Sequence, residues 1–265
     1  MLLVIRQRLD VVLQRRGLVR SRAQADHLIG DGQILVNGSL ATKASRLVAS
    51  SDAIEVLGSA DWHPRGYDKL AGALEDCGVV TTNKVCLDVG SSTGGFVKAL
   101  LDAGASSVVA VDVGTAQLDA QLARDTRVTS YEQTDIRTFA WPLATAPELI
   151  TVDVSFISIR HIIDALCSLS SPGTELLILI KPQFEVDRRI ASKAKGVVTD
   201  LAIHAEVLRA MLSDLGEHGL IVTQLVRSRR KGSKGNQEYF AHVATPTPPS
   251  IPAVEDLIAN ALARN

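Results

Sequence analysis

The feature that most constrains the fold is an apolar run that ends in a glycine-rich turn. Residues 84–96 read Lys-Val-Cys-Leu-Asp-Val-Gly-Ser-Ser-Thr-Gly-Gly-Phe, and a helical pattern follows through Leu100 and Leu101. A strand, a glycine turn and a helix in that order are typical of the opening of a nucleotide-binding α/β domain. Glycine suits the turn because the main chain can then approach a ligand without Cβ atoms in the way. An ordinary turn with incidental glycines is the competing interpretation.

The spacing of the glycines narrows the class of ligand. They follow the pattern G-x-x-x-G-G, which is neither the G-x-G-x-x-G of dinucleotide-binding domains nor a loop closed by Gly-Lys-Ser/Thr. A turn with few phosphate-binding features favours a nucleoside without phosphates, and we expect S-adenosylmethionine as the cofactor. The residues of the turn expected to contact it are Gly90, Ser91, Ser92, Thr93, Gly94, Gly95 and Phe96.

The composition indicates a large core and a reduced compartment. The 265 residues are 46% hydrophobic, which suits one or two domains. The three cysteines have no paired spacing, so we expect neither disulfides nor a metal site, and a cytoplasmic location fits best. No apolar run approaches the roughly 20 residues of a membrane helix, so no membrane association is expected.

Positive charge is concentrated at the start of the chain. Residues 1–58 carry eight Lys and Arg against five Asp and Glu, a net charge of +3, which leaves −4 for the rest. Their pattern predicts a helix over 6–16, a second helix capped by Ser21, and strands at 34–36 and near 53–57 around an Asn37-Gly38 turn. A basic module beside an acidic one favours binding of a polyanion, although a solvated helix face also explains the charge.

The remaining chain alternates between strand and helix patterns. After a linker at 59–66, a main domain is predicted over 67–245, followed by a proline-rich segment and a helix over 246–265. The predicted fold is a Rossmann-like α/β domain with seven mostly parallel strands, the last of them antiparallel, beside a small α+β module. Candidate strands span residues 85–89, 107–112, 127–131, 148–153, 175–180, 219–226 and 238–244.

Polar residues gather where the predicted strands end, and ligands bind at that edge of open α/β sheets. Asp112 ends the second predicted strand, where an acid accepts hydrogen bonds from ribose hydroxyls, with Val113 beside it. Asp135 follows the third strand and could accept from the adenine amino group.

Four charged residues should also meet at this edge, although each alone reads as a surface charge. They are Lys69, Asp153, Lys181 and Glu238. A lysine there could accept the proton of a ribose hydroxyl or orient its lone pair. Asp153 and Glu238 would flank Lys181 and favour its charged form, whereas the like charge of Lys69 would disfavour that form.

The order of those four residues resembles the Lys-Asp-Lys-Glu tetrad of FtsJ/RrmJ-type ribose 2′-O-methyltransferases. The supporting runs are Asp88–Phe96, Asp112–Gly114, Asp153–Ser158, Lys181–Glu185 and Gly235–Phe240. Residues 6–57 resemble the RNA-binding domain named after ribosomal small-subunit protein S-four. Together they resemble the TlyA family, also labelled hemolysin A. The resemblance implies methylation of cytidine ribose in rRNA of the large subunit and leaves open whether rRNA of the small subunit is a second substrate. The implied partner is rRNA within ribosomal subunits.

The resemblance also implies that cations on the N-terminal helices meet RNA phosphates, and a cationic loop at 227–235 would do the same at the catalytic edge. The RNA-binding candidates are Arg6, Arg8, Arg15, Arg16, Arg20, Arg22, Arg65, Arg227, Arg229, Arg230, Lys231 and Lys234. Trp62, Phe156 and Phe184 are candidate base-stacking residues, with burial in the core as the alternative for the two phenylalanines.

Two other functions compete with this hypothesis. A non-catalytic RNA-binding or ribosome-assembly factor would keep the fold without the chemistry. A membrane-active cytolysin would have only the short terminal helix at 254–262 in its favour, and that helix carries Glu255 and Asp256. The sequence leaves the oligomeric state open.

Overall fold

The computed structural model describes residues 6–19, 21–30, 32–56, 65–115, 117–194, 196–232, 235–244 and 250–263. Some predictions lie outside these ranges: most of the linker, including Trp62, the cations Arg20 and Lys234, and the beginning of the proline-rich segment. The backbone of Arg65 is described, but its side chain is not.

The N-terminal part combines two helices with short strands. In chain order these are β1 (Arg6–Arg8), α1 (Leu9–Arg15), α2 (Arg22–Gly30), β2 (Ile34–Val36), β3 (Ser39–Leu40), β4 (Leu47–Ala49) and β5 (Ile54–Val56). The predicted first helix is wrong over residues 6–8, because those residues pair antiparallel with β4. The helical spacing of apolar residues begins only at Leu9, where α1 begins.

The sequence signals for the other N-terminal elements are confirmed. The Ser21 Oγ accepts a hydrogen bond from the Gln24 amide at 3.1 Å and so caps α2. Asn37 and Gly38 have φ angles of 52° and 74°, which the tight turn between β2 and β3 requires. Leu9, Leu13 and Ile34 are fully buried in a core of their own.

The larger part follows from residue 65 and alternates helices with strands. Its elements are α3 (Arg65–Cys77), β6 (Val85–Val89), α4 (Gly95–Asp102), β7 (Ser107–Val111), β8 (Val128–Tyr131), β9 (Leu149–Val152), α5 (Ile163–Leu169), β10 (Glu175–Ile180), α6 (Pro182–Glu185), α7 (Arg188–Lys193), α8 (Leu201–Glu217), β11 (Gln224–Arg227), β12 (Tyr239–Val243) and α9 (Val254–Ala263). Within the described residues, seven strands form one sheet in the order β11-β12-β10-β9-β6-β7-β8. Strand β12 runs in the opposite direction to the other six, because it pairs antiparallel with both β10 and β11. The predicted fold class is therefore confirmed.

The sheet is covered by apolar residues on both faces. Along β10, Leu176, Ile178 and Ile180 join one buried cluster, whereas Leu177 and Leu179 join the other. Successive side chains of a strand point to opposite faces, so this division requires helices on both sides. Residues of α5, α8 and α9 complete the first cluster, and residues of α3 and α4 complete the second.

The final hairpin differs in length from its prediction. Strand β11 begins at Gln224 rather than at residue 219. Leu220 and Val222 are buried like strand residues, which explains the apolar pattern, but the backbone first joins β12 where the Thr223 amide donates to the His242 carbonyl at 2.8 Å. Among the described residues no helix is both long and apolar enough to cross a bilayer.

Candidate active site

The four charged residues predicted to meet at one edge do so in the structure. Asp153 and Lys181 directly follow the parallel neighbours β9 and β10, and Glu238 directly precedes β12. Ile180 faces Tyr239 in the antiparallel ladder of β10 and β12, so Lys181 and Glu238 lie at the same end of that pair. Lys69 comes from the beginning of α3. The fold therefore converts four distant sequence positions into one site.

The first pair in this site joins Lys181 to Asp153. The Lys181 ammonium forms an ion pair with the Asp153 carboxylate and donates a hydrogen bond to the Ser155 Oγ at 2.8 Å. Lys181 is only 6% exposed, so removing either partner would leave a charge with little access to water. Two of the three ammonium N–H groups are thus engaged, which leaves one for another acceptor.

The second pair joins Lys69 to Glu238. The Lys69 Nζ lies 2.7 Å from the Glu238 Oε2, and the Gln183 Nε2 donates to the Glu238 Oε1 at 3.0 Å. Glu238 is 2% exposed, and both of its oxygens are satisfied. The expectation that Asp153 and Glu238 both hold Lys181 is therefore corrected: Asp153 pairs with Lys181, whereas Glu238 binds Lys69 and Gln183. The two lysine side chains are largely buried, so each requires a counter-charge of its own.

The glycine turn packs directly against this site. Gly90 has a φ of +84°, and a Cβ placed on it would lie 2.5 Å from the carbonyl oxygen of Asp153. Gly94 has a φ of +92°, and its Cβ would lie 2.3 Å from the Leu122 side chain. A Cβ on Gly95 would lie 2.8 Å from the Gly66 Cα in α3. These glycines therefore allow close packing of neighbouring segments as well as a sharp turn.

Asp112 organises the loops beside the turn. Its Oδ2 accepts from the Ser92 amide at 2.9 Å, and its Oδ1 accepts from the Gly114 amide at 2.6 Å. Each carboxylate oxygen keeps a second lone pair, so Asp112 can still accept from the hydroxyls of a ribose. The neighbouring Val113 is 72% exposed, which suits an apolar surface for a flat ring. The donor and acceptor set at this edge therefore fits a nucleoside.

The remaining predicted cofactor residues take different positions. Ser91 is buried at the turn and Thr93 is half-buried. The Phe96 side chain is 3% exposed and stacks on Phe240 with ring centroids 5.9 Å apart, which places it in the core. Asp135 caps a short helical turn, and its hydrogen bonds with Arg137 lower the pKa of this carboxyl to about 2.

Sequence reasoning missed a buried acid beneath the glycine turn. Asp88 lies on β6, is fully buried, and accepts a hydrogen bond from the Thr151 Oγ1 at 2.7 Å. Burial raises the pKa of the Asp88 carboxyl to about 8. The group therefore carries a proton near neutral pH and adds no full charge to the site. The sequence signal for this buried acid is its position inside β6, a strand whose other residues are apolar.

Two aromatic side chains lie beside Lys181. Phe156 is 92% exposed although its φ is +66°, an unusual backbone angle for a bulky residue. Its ring centroid lies 5.3 Å from that of Phe184, and the Lys181 Nζ lies 5.8 Å from the Phe184 ring. Glu185 joins the segment that carries Phe184 to the segment after Phe156, because its carboxylate accepts from the Ser158 Oγ at 2.5 Å and from the Ile159 amide at 2.9 Å. The predicted alternative of burial is wrong for Phe156.

Several arginines of the N-terminal part have partners within the chain. Asp10 is 4% exposed and accepts from both Arg8 and Arg22 at 2.8–3.1 Å. Hydrogen bonds from Arg8 lower the pKa of this carboxyl to about 2. Arg16 donates to the backbone carbonyls of Asp52 and Ser50. Arg6 and Arg15 are exposed at the surface.

The cationic loop after β11 is also tied to the protein. Arg229 forms ion pairs with Glu75 and Asp76, and Arg230 pairs with Asp68, all on α3. Arg227 is half-buried in β11, and Lys231 is exposed. No group of three or more potential metal ligands occurs in the part of the chain that the structure describes.

Substitution of Asp10 tests the packing of the N-terminal part. We expect Asp10→Ala to lower its free energy of unfolding by about 1–3 kcal/mol, since both guanidinium groups remain half exposed and keep part of their hydration. Because the native pKa is depressed from 3.8 to about 2, this carboxylate stabilises the fold above pH 4, and the contribution is lost as the pH falls towards 2. Hydrogen exchange of residues 6–56 measures the loss. Asp26→Ala, at an exposed position on α2, is the control, and equal effects of the two variants would contradict the assignment.

Comparison with known proteins agrees with this geometry. The family model of the FtsJ-like methyltransferases matches residues 62–245, and that of the S4 domain matches residues 7–54. The chain belongs to the FtsJ-like methyltransferase family. Within this family, it is 37% identical over 97% of both chains to "16S/23S rRNA (cytidine-2'-O)-methyltransferase TlyA" of Mycobacterium tuberculosis.

Other relatives of this chain carry a different label. "Hemolysin A" of Brachyspira hyodysenteriae is 36% identical over 89% of this chain and 98% of its own length. A solved structure described as "Putative hemolysin from Streptococcus thermophilus" is 32% identical, covers 97% of this chain and 95% of its own, and has a TM-score of 0.71. The predicted resemblance, the methyltransferase activity and its S-adenosylmethionine dependence are thereby confirmed at the level of the family.

Proposed function

We propose that this FtsJ-like methyltransferase transfers the methyl group of S-adenosylmethionine to the ribose 2′-hydroxyl of cytidine in rRNA. The observation that carries the proposal is the buried Lys181–Asp153 pair, which lies against the glycine turn at Gly90. The relative from M. tuberculosis acts, by its name, on 16S and 23S rRNA, and the S4 match adds an RNA-binding module. Action on ribosomal subunits in the cytoplasm follows from that substrate.

The cofactor would be held by residues on three neighbouring strand ends. The turn from Gly90 to Gly95, with Asp112, Val113 and Asp135, offers backbone amides, two carboxylates and an apolar surface. When bound, S-adenosylmethionine supplies a methyl group already activated by its sulfonium charge. The protein's remaining task is to hold the nucleophile in line, which accounts for much of the rate in such reactions.

Lys181 is the residue that we assign to the ribose hydroxyl. The Lys181 ammonium, which forms an ion pair with Asp153, can orient a lone pair of the 2′-oxygen but has no lone pair of its own with which to take the proton. The hydroxyl proton would then leave to water. Asp153 holds the ammonium through an ion pair and Ser155 through a hydrogen bond, and a remaining N–H serves the 2′-oxygen. Lys69 and Glu238 neutralise each other beside it and leave Lys181 undisturbed.

Phe156 and Phe184 offer a surface for the target base. An exposed ring next to Lys181 can stack on a nucleobase that has left its helix. Phosphates around the target would meet Arg227 and Lys231, while Arg6 and Arg15 would contact more distant RNA. Long-range attraction of RNA can also come from three arginines that have partners within the chain, namely Arg8, Arg16 and Arg22. From the sequence alone we assign three further cations to the RNA interface, namely Arg20, Arg65 and Lys234.

Removal of the exposed ring tests the stacking assignment. We expect Phe156→Ala to lower kcat/KM for rRNA by about 10-fold or more, since stacking on an aromatic side chain contributes about 1–3 kcal/mol per base. Phe156→Trp should retain most of the activity. Affinity for S-adenosylmethionine and thermal stability should stay unchanged, as they should in the control Leu201→Ala, at another exposed apolar position. An unchanged kcat/KM in Phe156→Ala would exclude this role.

The function itself is tested by methyl transfer to isolated ribosomal subunits. Labelled S-adenosylmethionine is incubated with the full chain and with large or small subunits from a strain lacking this methylation. We expect label in rRNA of the large subunit. Binding of subunits without any incorporation into either rRNA would identify an RNA-binding factor instead, and leakage of liposomes by the pure protein would favour a cytolysin.

A further inference from the structure

Arg229 makes an unusually complete set of contacts for a surface arginine. Its Nε and Nη2 donate to the two oxygens of Asp76 at 3.1 and 2.8 Å, and its Nη1 donates to Glu75 at 2.6 Å. Most surface ion pairs contribute little, but a bidentate arginine shared by two carboxylates has fixed geometry and loses less entropy per bond. The loop after β11 is thereby attached to the last turn of α3.

Gly72 provides the second observation. A Cβ on Gly72 would lie 2.8 Å from the Arg229 Cδ and 3.2 Å from its Cγ, so the arginine stem lies across α3 at this glycine. Glycine inside a helix is less favourable than alanine. The close passage of the Arg229 stem gives this unfavourable residue a structural reason. The contact between Arg229 and α3 therefore depends on steric fit at Gly72 as well as on charge.

The same loop ends at the active site. Arg230 forms an ion pair with Asp68, the residue before Lys69. The Ser228 amide donates to the Glu238 carbonyl at 2.9 Å, and a Cβ on Gly232 would lie 2.0 Å from the Glu238 Oε1. The loop thus surrounds Glu238, whose carboxylate binds Lys69 on the helix to which the loop is attached.

We propose that Arg229, supported by Arg230, is a positioning residue that fastens the 228–232 loop to α3 and so keeps Glu238 on Lys69. We call this set of contacts the α3 latch: Arg229 with Glu75, Asp76 and Gly72, and Arg230 with Asp68. The latch removes both arginines from the set of direct RNA contacts that the charge of the loop suggests. Its effect on catalysis rests on the proposed function, but its effect on the loop does not.

Three variants separate positioning from RNA binding. Arg229→Ala removes the cation, Asp76→Asn keeps the cation but breaks its bidentate pair, and Gly72→Ala keeps all charges but occupies the path of the stem. If Arg229 positions the loop, all three should lower kcat by about 5- to 10-fold, because small misplacements of active-site groups are costly. The KM for rRNA and the salt dependence of binding should stay unchanged. Arg209→Ala, a bidentate arginine between α8 and α9, is the control.

A readout without methyl transfer decides the proposal independently. Hydrogen exchange of residues 228–238 should become about 10-fold faster in all three variants, since the attachment of the loop is lost. If Arg229 instead binds phosphate, Arg229→Ala should weaken RNA binding and reduce the salt slope by about 1, whereas Asp76→Asn should free the guanidinium and strengthen binding. That result, or unchanged exchange in the loop, would overturn the latch. Failure of the wild-type chain to methylate rRNA would contradict the proposed function alone.

Discussion

Lys181→Ala should reduce methyl transfer to rRNA by about 10²- to 10³-fold, the scale expected when one positioned hydrogen-bond donor at a reacting oxygen is lost. The substitution removes the ammonium that forms an ion pair with Asp153. Without the Lys181 ammonium, the donor assigned to the 2′-oxygen is lost, and the hydroxyl is no longer held in line for attack. Affinity for S-adenosylmethionine should change by less than about 2-fold, because Lys181 lies outside the turn and the strand ends assigned to the cofactor.

The chain contains a matched control at the opposite edge of the sheet. Lys84 and Glu175, at the beginnings of β6 and β10, form a half-buried ion pair of the same chemical type. Lys84→Ala should reduce stability but leave methyl transfer near the wild-type rate. Single-turnover rates with saturating cofactor separate the chemical step from binding. Substantial transfer by Lys181→Ala, or equal losses in both variants, would remove the assigned role of Lys181.

Gly90→Ala should disrupt both the turn and the catalytic pair. Alanine at a φ of +84° costs about 1–2 kcal/mol, and overlap of its Cβ with the Asp153 carbonyl oxygen at 2.5 Å adds about 1–3 kcal/mol. The overlap can be relieved only by moving the backbone that carries Asp153 or the turn that faces the cofactor. We therefore expect a lower melting temperature together with a loss of at least about 10-fold in cofactor affinity and in kcat.

Gly219→Ala separates steric overlap from backbone strain. Gly219 has a φ of +81°, close to that of Gly90, but no atom lies within 4 Å of the position of its Cβ. This variant should show the conformational cost alone and keep full activity. Calorimetry, cofactor titration and transfer rates on both variants make the comparison. If Gly90→Ala loses no more stability, cofactor affinity or transfer rate than Gly219→Ala, the close contact between the turn and Asp153 does not contribute to function.

The sequence predicts the fold and the gathering of the four charged residues because both depend on topology. Alternating strands and helices place the ends of parallel strands at one edge, and Asp153 and Lys181 each follow such a strand. The partner of each lysine depends on side-chain reach across a three-dimensional site, which no spacing along the chain encodes. Pattern alone therefore predicted two carboxylates around Lys181, whereas the structure divides them between Lys181 and Lys69.

The role of the arginines was the least predictable feature. A run of cations in the sequence indicates nucleic acid, but Arg8, Arg22, Arg229 and Arg230 have carboxylate partners within the chain. The carboxylate partners of Arg229 and Arg230 lie more than 150 residues earlier in the chain. The sequence around these two arginines therefore does not show that their charges are paired. Likewise, β1 carries no apolar signal, because its stability comes from backbone pairing with β4.

The most direct test of the account is nucleoside mass spectrometry of rRNA from subunits treated with the wild-type chain, with Lys181→Ala or with neither. The account predicts that 2′-O-methylcytidine appears only with the wild-type chain and S-adenosylmethionine. Methylation on the base instead of the ribose, or the same yield of 2′-O-methylcytidine with Lys181→Ala, would contradict it.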